Sequence, residues 1–576
     1  MSKEQNDSGL RLRPTKSSSS ISKSSTGNGN DARANKANCS NTPSRTAPSR
    51  TANKSTVGRG PPPYCPSGKI AFFLFVIVRL SAAFYSNIAD CDEYSPKYAI
   101  RSWAYIKLHA IVGGIFNIIF GHDKIKVFYT IRVVFAILCA LSESMFYVST
   151  VSNLGPRVGR YLIISMLFSA GIWNASTAFL PSTFAMYTTM VAFFYALRAV
   201  SQSSGRRIYK TIFWVGLGSL LAWPFGAAIG IPAAFEELTL RTSVVRKKFE
   251  RVQRLIFGLM ISMCLILVPL VLADSYYYKQ FNIVPLNIIM YNVFGGKDRG
   301  PELYGTEPWH FYIKNGLLNF NFLFILALIS LPGLSTRRHY IKMFTTSILL
   351  ISGLISLSRI SALYINYNAP IKIYKYFYYV EIPQQIESRN IQLDLANPIN
   401  LCVGKEWYRF PSHYFLPNGV RLRFLKSNFN GQLPKYFPEN HHIDPDGRIK
   451  MSNVREGTWK IPEGFNDINQ EEMDRYVNIE QCEYIIDLEM NYTRKATDNE
   501  PRYAAQTDKW SEVICERFLD NENSDRISRA FYLPPEIWKR IKRIIKYLPV
   551  RTFNSNAVNR LGELRWGSYC LLRKKA

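Results

Sequence analysis

Asp90, Asp92 and Glu93 put three carboxylates within four residues, just beyond the first long apolar run of the chain. At that spacing each charge opposes the next, so every group holds its proton longer than an isolated side chain would. A carboxylate tuned in this way can act as a general base, taking the proton from a hydroxyl as it attacks an electrophile. The plainer alternative is a solvated acidic cap at a helix end. Charge and spacing alone leave both open.

A second group of residues suits sugar chemistry. Asp274-Ser275-Tyr276-Tyr277-Tyr278 leads through Val284-Pro285-Leu286-Asn287 to Leu303-Tyr304-Gly305-Thr306-Glu307-Pro308-Trp309. Aromatic faces cover sugar C–H groups, while amides and carboxylates bond hydroxyls, which makes Glu307 and Trp309 candidates for substrate contact. The same composition also builds an interfacial aromatic belt, which needs no ligand. The sequence has no phosphate-cradling Gly loop, Walker-type lysine, metal-binding His cluster or nucleophile elbow, so the commonest soluble chemistries are excluded and no metal or cofactor is expected.

The elements that must position these groups belong to a membrane protein. Across 576 residues the formal net charge is +29 and the pI about 9.7. Lys and Arg are spread over the termini and between apolar runs, which argues against nucleic acid as a partner and for a polytopic chain in contact with membrane lipid. The mean hydropathy of -0.07 averages a polar N-terminus, an apolar middle and a polar C-terminal third. Three regions are expected. Residues 1–69, rich in Ser, Thr, Asn, Lys and Arg, read as a disordered basic tail on the cytosolic side. Residues 70–365 read as a multi-spanning membrane domain, and residues 366–576 as a polar C-terminal domain opposite the cytosol.

The first span runs from Ile70 to about Ser86 and contains Arg79, which is costly against lipid and must face inward or pair. Further apolar runs lie near Tyr98–Phe120, Val127–Val151, Tyr161–Ala178, Phe184–Val200, Ile212–Phe235, Leu255–Ala273, Leu317–Leu334 and Phe344–Leu363. Several are broken by Gly or Pro, and the shorter ones suit re-entrant segments as well as spans. Arg246-Lys247-Lys248 and Arg337-Arg338 mark cytosolic loops, so the acidic cluster, the segment from Asp274 to Phe320 and the C-terminal domain share the opposite compartment. Alternating runs such as Ile399–Val403 and Tyr484–Leu488 suggest a small mixed sheet there. Cys91, Cys402, Cys482, Cys515 and Cys570 have no metal-ligand spacing and give no disulfide framework. Arg573-Lys574-Lys575 reads as a solvated charge run.

The residues carry a resemblance as well. Ser86-Asn87-Ile88-Ala89-Asp90-Cys91-Asp92-Glu93, Tyr98-Ala99-Ile100-Arg101-Ser102, Ala178-Phe179-Leu180-Pro181-Ser182, Trp223-Pro224-Phe225, Asp274–Tyr278, Leu303–Trp309 and Val403-Gly404-Lys405-Glu406-Trp407-Tyr408-Arg409-Phe410-Pro411-Ser412 resemble, in order, glycosyltransferase family 22. These are the alpha-1,2-mannosyltransferases of asparagine-linked glycosylation. The resemblance implies a predominantly α, polytopic membrane protein of the GT-C type with a small α/β luminal C-terminal domain, in the endoplasmic reticulum. It implies dolichyl phosphate mannose as donor and a dolichol-linked oligosaccharide as acceptor. The family's luminal acidic pair falls on Asp92 and Glu93, with Asp92 as base and Glu93 orienting it or sharing its proton. Asp90 and Arg101 join Glu307 and Trp309 as substrate-binding candidates, Arg101 for the leaving phosphate.

Two departures from the family pattern stand out. The family continues its acidic pair with Thr-Phe-Asn-Tyr-Trp-Glu-Pro, whereas Tyr94 follows Glu93 at once, a loss of about twenty residues or two to three helical turns plus connections. The segment His-Lys-Glu-Glu-Arg-Phe, expected between Leu334 and Phe344, is absent. The alternatives to an active transferase are a catalytically impaired or non-catalytic scaffold of the same fold, or a transporter, although no internal repeat supports the last.

Overall fold

The computed structural model describes residues 65–86, 98–198, 206–240, 245–295, 305–333, 341–436, 458–460, 462–466, 468–490, 499–547 and 555–575. Asp90, Asp92 and Glu93, the N-terminal tail as far as residue 64, and the 334–340 junction lie outside them.

The chain is predominantly helical. Helix α1 (Gly68–Tyr85) begins at Ser67, whose Oγ accepts from the Ile70 amide, and runs without a break through the apolar segment. Helix α2 (Trp103–Ile119) follows, then α3 (Lys124–Leu154), opened by Asp123 accepting from the Lys126 amide. Gly155, at φ 97°, ends α3, a backbone conformation that suits glycine, and Pro156 starts α4 (Pro156–Leu167). Next come α5 (Ala170–Ala175), α6 (Pro181–Ala196), α7 (Arg206–Leu221), α8 (Ile231–Phe235), α9 (Val245–Ser262), α10 (Val268–Tyr278), α11 (Val284–Phe294), α12 (Trp309–Phe320), α13 (Phe322–Gly333) and α14 (Ile341–Tyr367). Among the described residues, four helices are long and apolar enough to cross a bilayer: Gly68–Tyr85, Lys124–Leu154, Phe249–Tyr278 and Ile348–Tyr367. The α12–α13 pair, bent by 116°, makes a fifth if counted as one span.

Arg79 fulfils the expectation that it pairs. Its side chain is fully buried and donates twice to Glu143 of α3, at 2.6 and 2.9 Å, and once to the Met166 carbonyl at 2.7 Å. Tyr147 meets the Pro66 carbonyl at 2.7 Å, and Arg132 meets the Ala82 and Ser86 carbonyls at 3.0 and 2.9 Å. Residue numbers rise along α1 as they fall along α3, so the two helices are antiparallel.

That geometry bears on the apolar run Tyr98–Phe120, which the sequence leaves open between a span and a re-entrant segment. α1 ends and α3 begins at the same end of this antiparallel pair, hereafter the far side, and α2 lies in the chain between those two ends. Its residues Tyr105, His109 and Gly113 pack inward, while Leu108, Ile111, Ile115, Ile118 and Ile119 form an exposed apolar stripe at helical spacing. A stripe of this kind suits contact with lipid. Hydropathy alone reports the stripe and not the direction of the axis.

The run Ile212–Phe235 is one of those broken by proline. Trp223-Pro224 breaks it, since proline disfavours helix in the residue before it, and the chain then turns back until Glu237 pairs with Arg207 at the start of α7, at 3.6 Å. Asp274 reaches the far side, where it accepts from Ser102 ahead of α2.

Beyond α14 lies a five-stranded mixed sheet: β1 (Ile399–Val403), β2 (Val420–Phe424), β3 (Tyr484–Glu489), β4 (Trp510–Leu519) and β5 (Trp566–Lys574), in the order β2-β1-β3-β5-β4. β1 runs parallel to β2 and β3, and β5 antiparallel to β3 and β4. Leu401, Val403, Tyr484, Ile486 and Tyr569 pack on one face against Ile373, Tyr374 and Phe377, and Cys402, Ile485 and Leu572 on the other against Tyr503 and Trp510. With both faces covered, β3 is buried along its whole length.

The cysteine expectation is overturned. Cys402 is bonded to Cys482, and Cys515 to Cys570. Cys515 and Cys570 stand directly opposite each other across β4 and β5, a relation set by strand register that linear spacing does not carry. The basic end belongs to the sheet: Arg573 meets Glu381 at 3.1 Å and Lys574 meets Glu480 at 3.4 Å.

Candidate functional site

The far-side end of α1 leads straight into the acidic segment, and Arg132 fixes that end. Its Nη2 donates to the carbonyls of Ala82 and Ser86 at the end of the helix, at 3.0 and 2.9 Å, and to Thr177 Oγ1 at 3.1 Å. Ser86 Oγ bonds the Asn174 side chain at 3.0 Å. Position 86 is therefore held from two directions, four residues before Asp90.

Beside this anchor lies a cavity of about 280 Å³. His109, Arg132, Thr177, Phe179, Ser412 and Tyr414 supply most of its character. Tyr105 donates to the Leu180 carbonyl at 2.8 Å and stacks on Phe179, so α2 fixes the Ala178–Ser182 segment. His109 packs edge-on against Phe135 and Phe179, and its Nδ1 lies 2.6 Å from the Tyr105 carbonyl. A carbonyl only accepts, so Nδ1 carries a proton and Nε2 is the other functional nitrogen.

Three of the quoted motifs form one assembly at the same face. Asp274 Oδ1 accepts from Ser102 Oγ at 2.9 Å and from the Ala104 amide at 3.3 Å, so the Asp-Ser-Tyr-Tyr-Tyr segment caps α2 from outside it. Tyr278 donates to the Arg101 carbonyl at 2.6 Å, and Asn287 to the Ala99 carbonyl at 3.3 Å. The sheet region closes over this assembly: Thr458 donates to the Tyr277 carbonyl at 2.8 Å, and Lys279 stands 4.0 Å from the Trp459 ring centre.

Of the six residues singled out from sequence, Asp90, Asp92 and Glu93 lie outside the described residues. Arg101 sits in the assembly just described. Glu307 and Trp309 are exposed at the start of α12, the latter to 73%, and do not line the cavity. Sequence reasoning missed Arg132 and His109. A signal for Arg132 was present, because like Arg79 it is a charge inside an apolar run and such residues face a bundle interior or a polar cavity.

The profile of the Alg9-like mannosyltransferase family matches residues 93–351 and 334–417. The match starts at the Glu93–Tyr94 junction and changes segment across the stretch that joins Leu334 to Phe344. The chain is 33% identical to the human Alpha-1,2-mannosyltransferase ALG9, over 82% of this chain and 87% of that protein. It is 32% identical to the Schizosaccharomyces pombe Alpha-1,2-mannosyltransferase alg9, over 84% and 96%, and 28% identical to the Saccharomyces cerevisiae ALG9, over 85% and 95%. No solved structure matches.

Proposed function

The chain belongs to the Alg9-like mannosyltransferase family, and from that premise we propose that it transfers mannose from dolichyl phosphate mannose, in alpha-1,2 linkage, to the dolichol-linked oligosaccharide precursor of protein N-glycosylation. The far side is then the lumen of the endoplasmic reticulum and the N-terminus is cytosolic. Two disulfides in the far-side sheet support an oxidising compartment, and the basic loops around Arg246 and Arg337 support the opposite face as cytosol.

The observation that carries this reading is the anchor at Ser86. Arg132 holds the end of α1 beside a cavity at the membrane face, and the acidic segment starts from that point. In the proposed reaction the Asp92 carboxylate takes the proton from the acceptor hydroxyl as its oxygen attacks the anomeric carbon. The bond from that carbon to the phosphate oxygen breaks with inversion, and dolichyl phosphate leaves with the electron pair. Glu93 orients Asp92 or shares its proton, Arg101 attends the leaving phosphate, and Asp90, Glu307 and Trp309 contact substrate. Both substrates are anchored in one leaflet, so orientation supplies much of the rate.

A second reading, a scaffold with little transferase activity, is favoured by one feature: the family match begins and changes segment at the two places where family residues are missing. One assay separates the readings. Membranes containing the chain, given radiolabelled dolichyl phosphate mannose and the six-mannose lipid acceptor, are expected to lengthen the acceptor by one mannose. Transfer no greater than in membranes lacking the chain overturns the transferase reading and leaves the scaffold.

A further inference from the structure

A second cavity, of about 450 Å³, lies in the sheet region and has no place in the chemistry above. Its position follows from topology. β2, β1, β3 and β4 all point the same way, and the residues just past their C-terminal ends line it: Ser427 after β2, Lys405 after β1, Met490 after β3 and Asp520 after β4. The crevice outside the carboxyl ends of strands is where open sheets of this kind receive ligands.

The lining is neither a phosphate site nor an apolar slot. Its cations are already matched: Lys405 by Asp487 at 3.0 Å, Arg409 by Glu406 at 2.6 Å and Arg502 by Glu489 at 2.6 Å. Glu406 and Glu489 are both more than nine-tenths buried, and Glu489 Oε2 has no hydrogen-bond partner among the described residues. A carboxylate oxygen left in this state calls for a donor. Beside these acceptors stand aromatic faces. Trp407 packs tilted against Phe429 with ring centres 4.8 Å apart, and Tyr408 is 59% exposed with the Arg409 guanidinium 4.6 Å from its ring centre. The ligand that fits is uncharged, rich in hydroxyl donors and provided with C–H faces, which describes a saccharide.

The same segment serves both cavities. Arg409 lines the second and Ser412 the first, with extended backbone between them, and three residues of extended chain span about 10 Å. We propose that the cavity at the strand ends is a saccharide subsite, which holds a part of the acceptor oligosaccharide remote from the hydroxyl that reacts. The proposal rests on the mannosyl-transfer reading for the identity of its ligand.

The test uses the full chain and the variant Tyr408→Ala, whose exposed ring contributes little to the fold. The KM for the six-mannose lipid acceptor is expected to rise about ten-fold, with kcat within about two-fold. The KM for a lipid-linked mannose disaccharide, too short to reach both cavities, is expected to be unchanged. Tyr408→Phe, which keeps the aromatic face, should restore the wild-type KM. An unchanged KM for the long acceptor, or an equal rise for both acceptors, overturns the proposal. If the wild-type chain transfers no mannose, the transfer reading falls alone, and binding of a free branched oligomannose to the detergent-solubilised chain decides the subsite. Saturation transfer from wild type that weakens in Tyr408→Ala supports it, and no binding by wild type ends it.

Discussion

Arg79 Nη2 and Glu143 Oε1 lie 2.6 Å apart, and neither side chain has any exposed surface. This pair locks α1 to α3 in antiparallel register and so fixes the point at which the chain reaches the far side. Removing one partner leaves a buried charge without a counter-charge. Arg79→Met or Glu143→Gln is expected to cost about 3–5 kcal/mol, whereas replacing both with apolar side chains of similar volume should cost much less. Thermal unfolding of the solubilised variants checks this, and a double variant no more stable than the worse single one would contradict it.

Asp274 acts on α2 from 172 residues away in sequence. Asp274→Ala leaves the buried Ser102 hydroxyl without its acceptor, while the Ala104 amide keeps Ser102 Oγ at 3.1 Å, and is expected to cost about 1–3 kcal/mol. Asp274→Asn keeps an acceptor oxygen in place and should fall within about 1 kcal/mol of the parent. The comparison of melting temperatures separates capping from a need for charge.

Asp92 carries the proposed proton transfer. Asp92→Asn is expected to lower the rate of mannosyl transfer by about 100- to 10,000-fold without moving the melting temperature. Full transfer by this variant in a reconstituted assay would remove Asp92 from the role of base.

Acid should act on the sheet region through two opposed groups. Burial, with the charge of Lys124 added, pulls His413 down from 6.5 to about 4. On acidification through that window the unfolded chain takes the proton first, so stability falls. Burial pushes Asp487 up from 3.8 to about 6, against the pull of Lys405. In this case the folded chain takes the proton first, so stability rises as pH drops from about 6 to 4. His413→Asn is therefore expected to gain stability between pH 7 and pH 5, and Asp487→Asn to lose it. Melting curves at the two pH values report the slopes directly.

The two disulfides close long stretches of chain, with separations of 80 and 55 residues. Replacing either pair by serine is expected to lower the stability of the sheet region by about 2–4 kcal/mol. Unfolding with and without reductant measures it, and reductant should have no further effect on a chain lacking both pairs.

Much of the fold was legible because it follows from local composition. The first span, the inward Arg79 and the mixed sheet are each written in a short window of apolar and charged residues. The path of α2 stayed open, because a re-entrant helix and one that crosses share the same apolar count. What bears on that path is the antiparallel contact of α1 with α3, a relation between Arg79 and Glu143, 64 residues apart. The disulfides were hidden for a similar reason, since cross-strand opposition is a property of register. At the site, the motif residues were visible as a set, but Asp274 capping Ser102 and Arg132 gripping Ser86 are tertiary facts. The sheet cavity was hidden most deeply, because it is made where four strands end, and no single stretch of sequence contains it.

Strand β5 lies between β3 and β4 and is their shared partner, yet it is the last of the five to be synthesised. While the chain is still being made, β3 lacks a neighbour on that side, β4 has nothing to pair with, and Cys515 waits for Cys570. The region can therefore close only after residues 566–574 have emerged, and a chain that stops before Trp566 presents two open strand edges to the surrounding compartment. The last strand made thus completes the sheet from its interior, and its arrival brings Cys570 opposite Cys515.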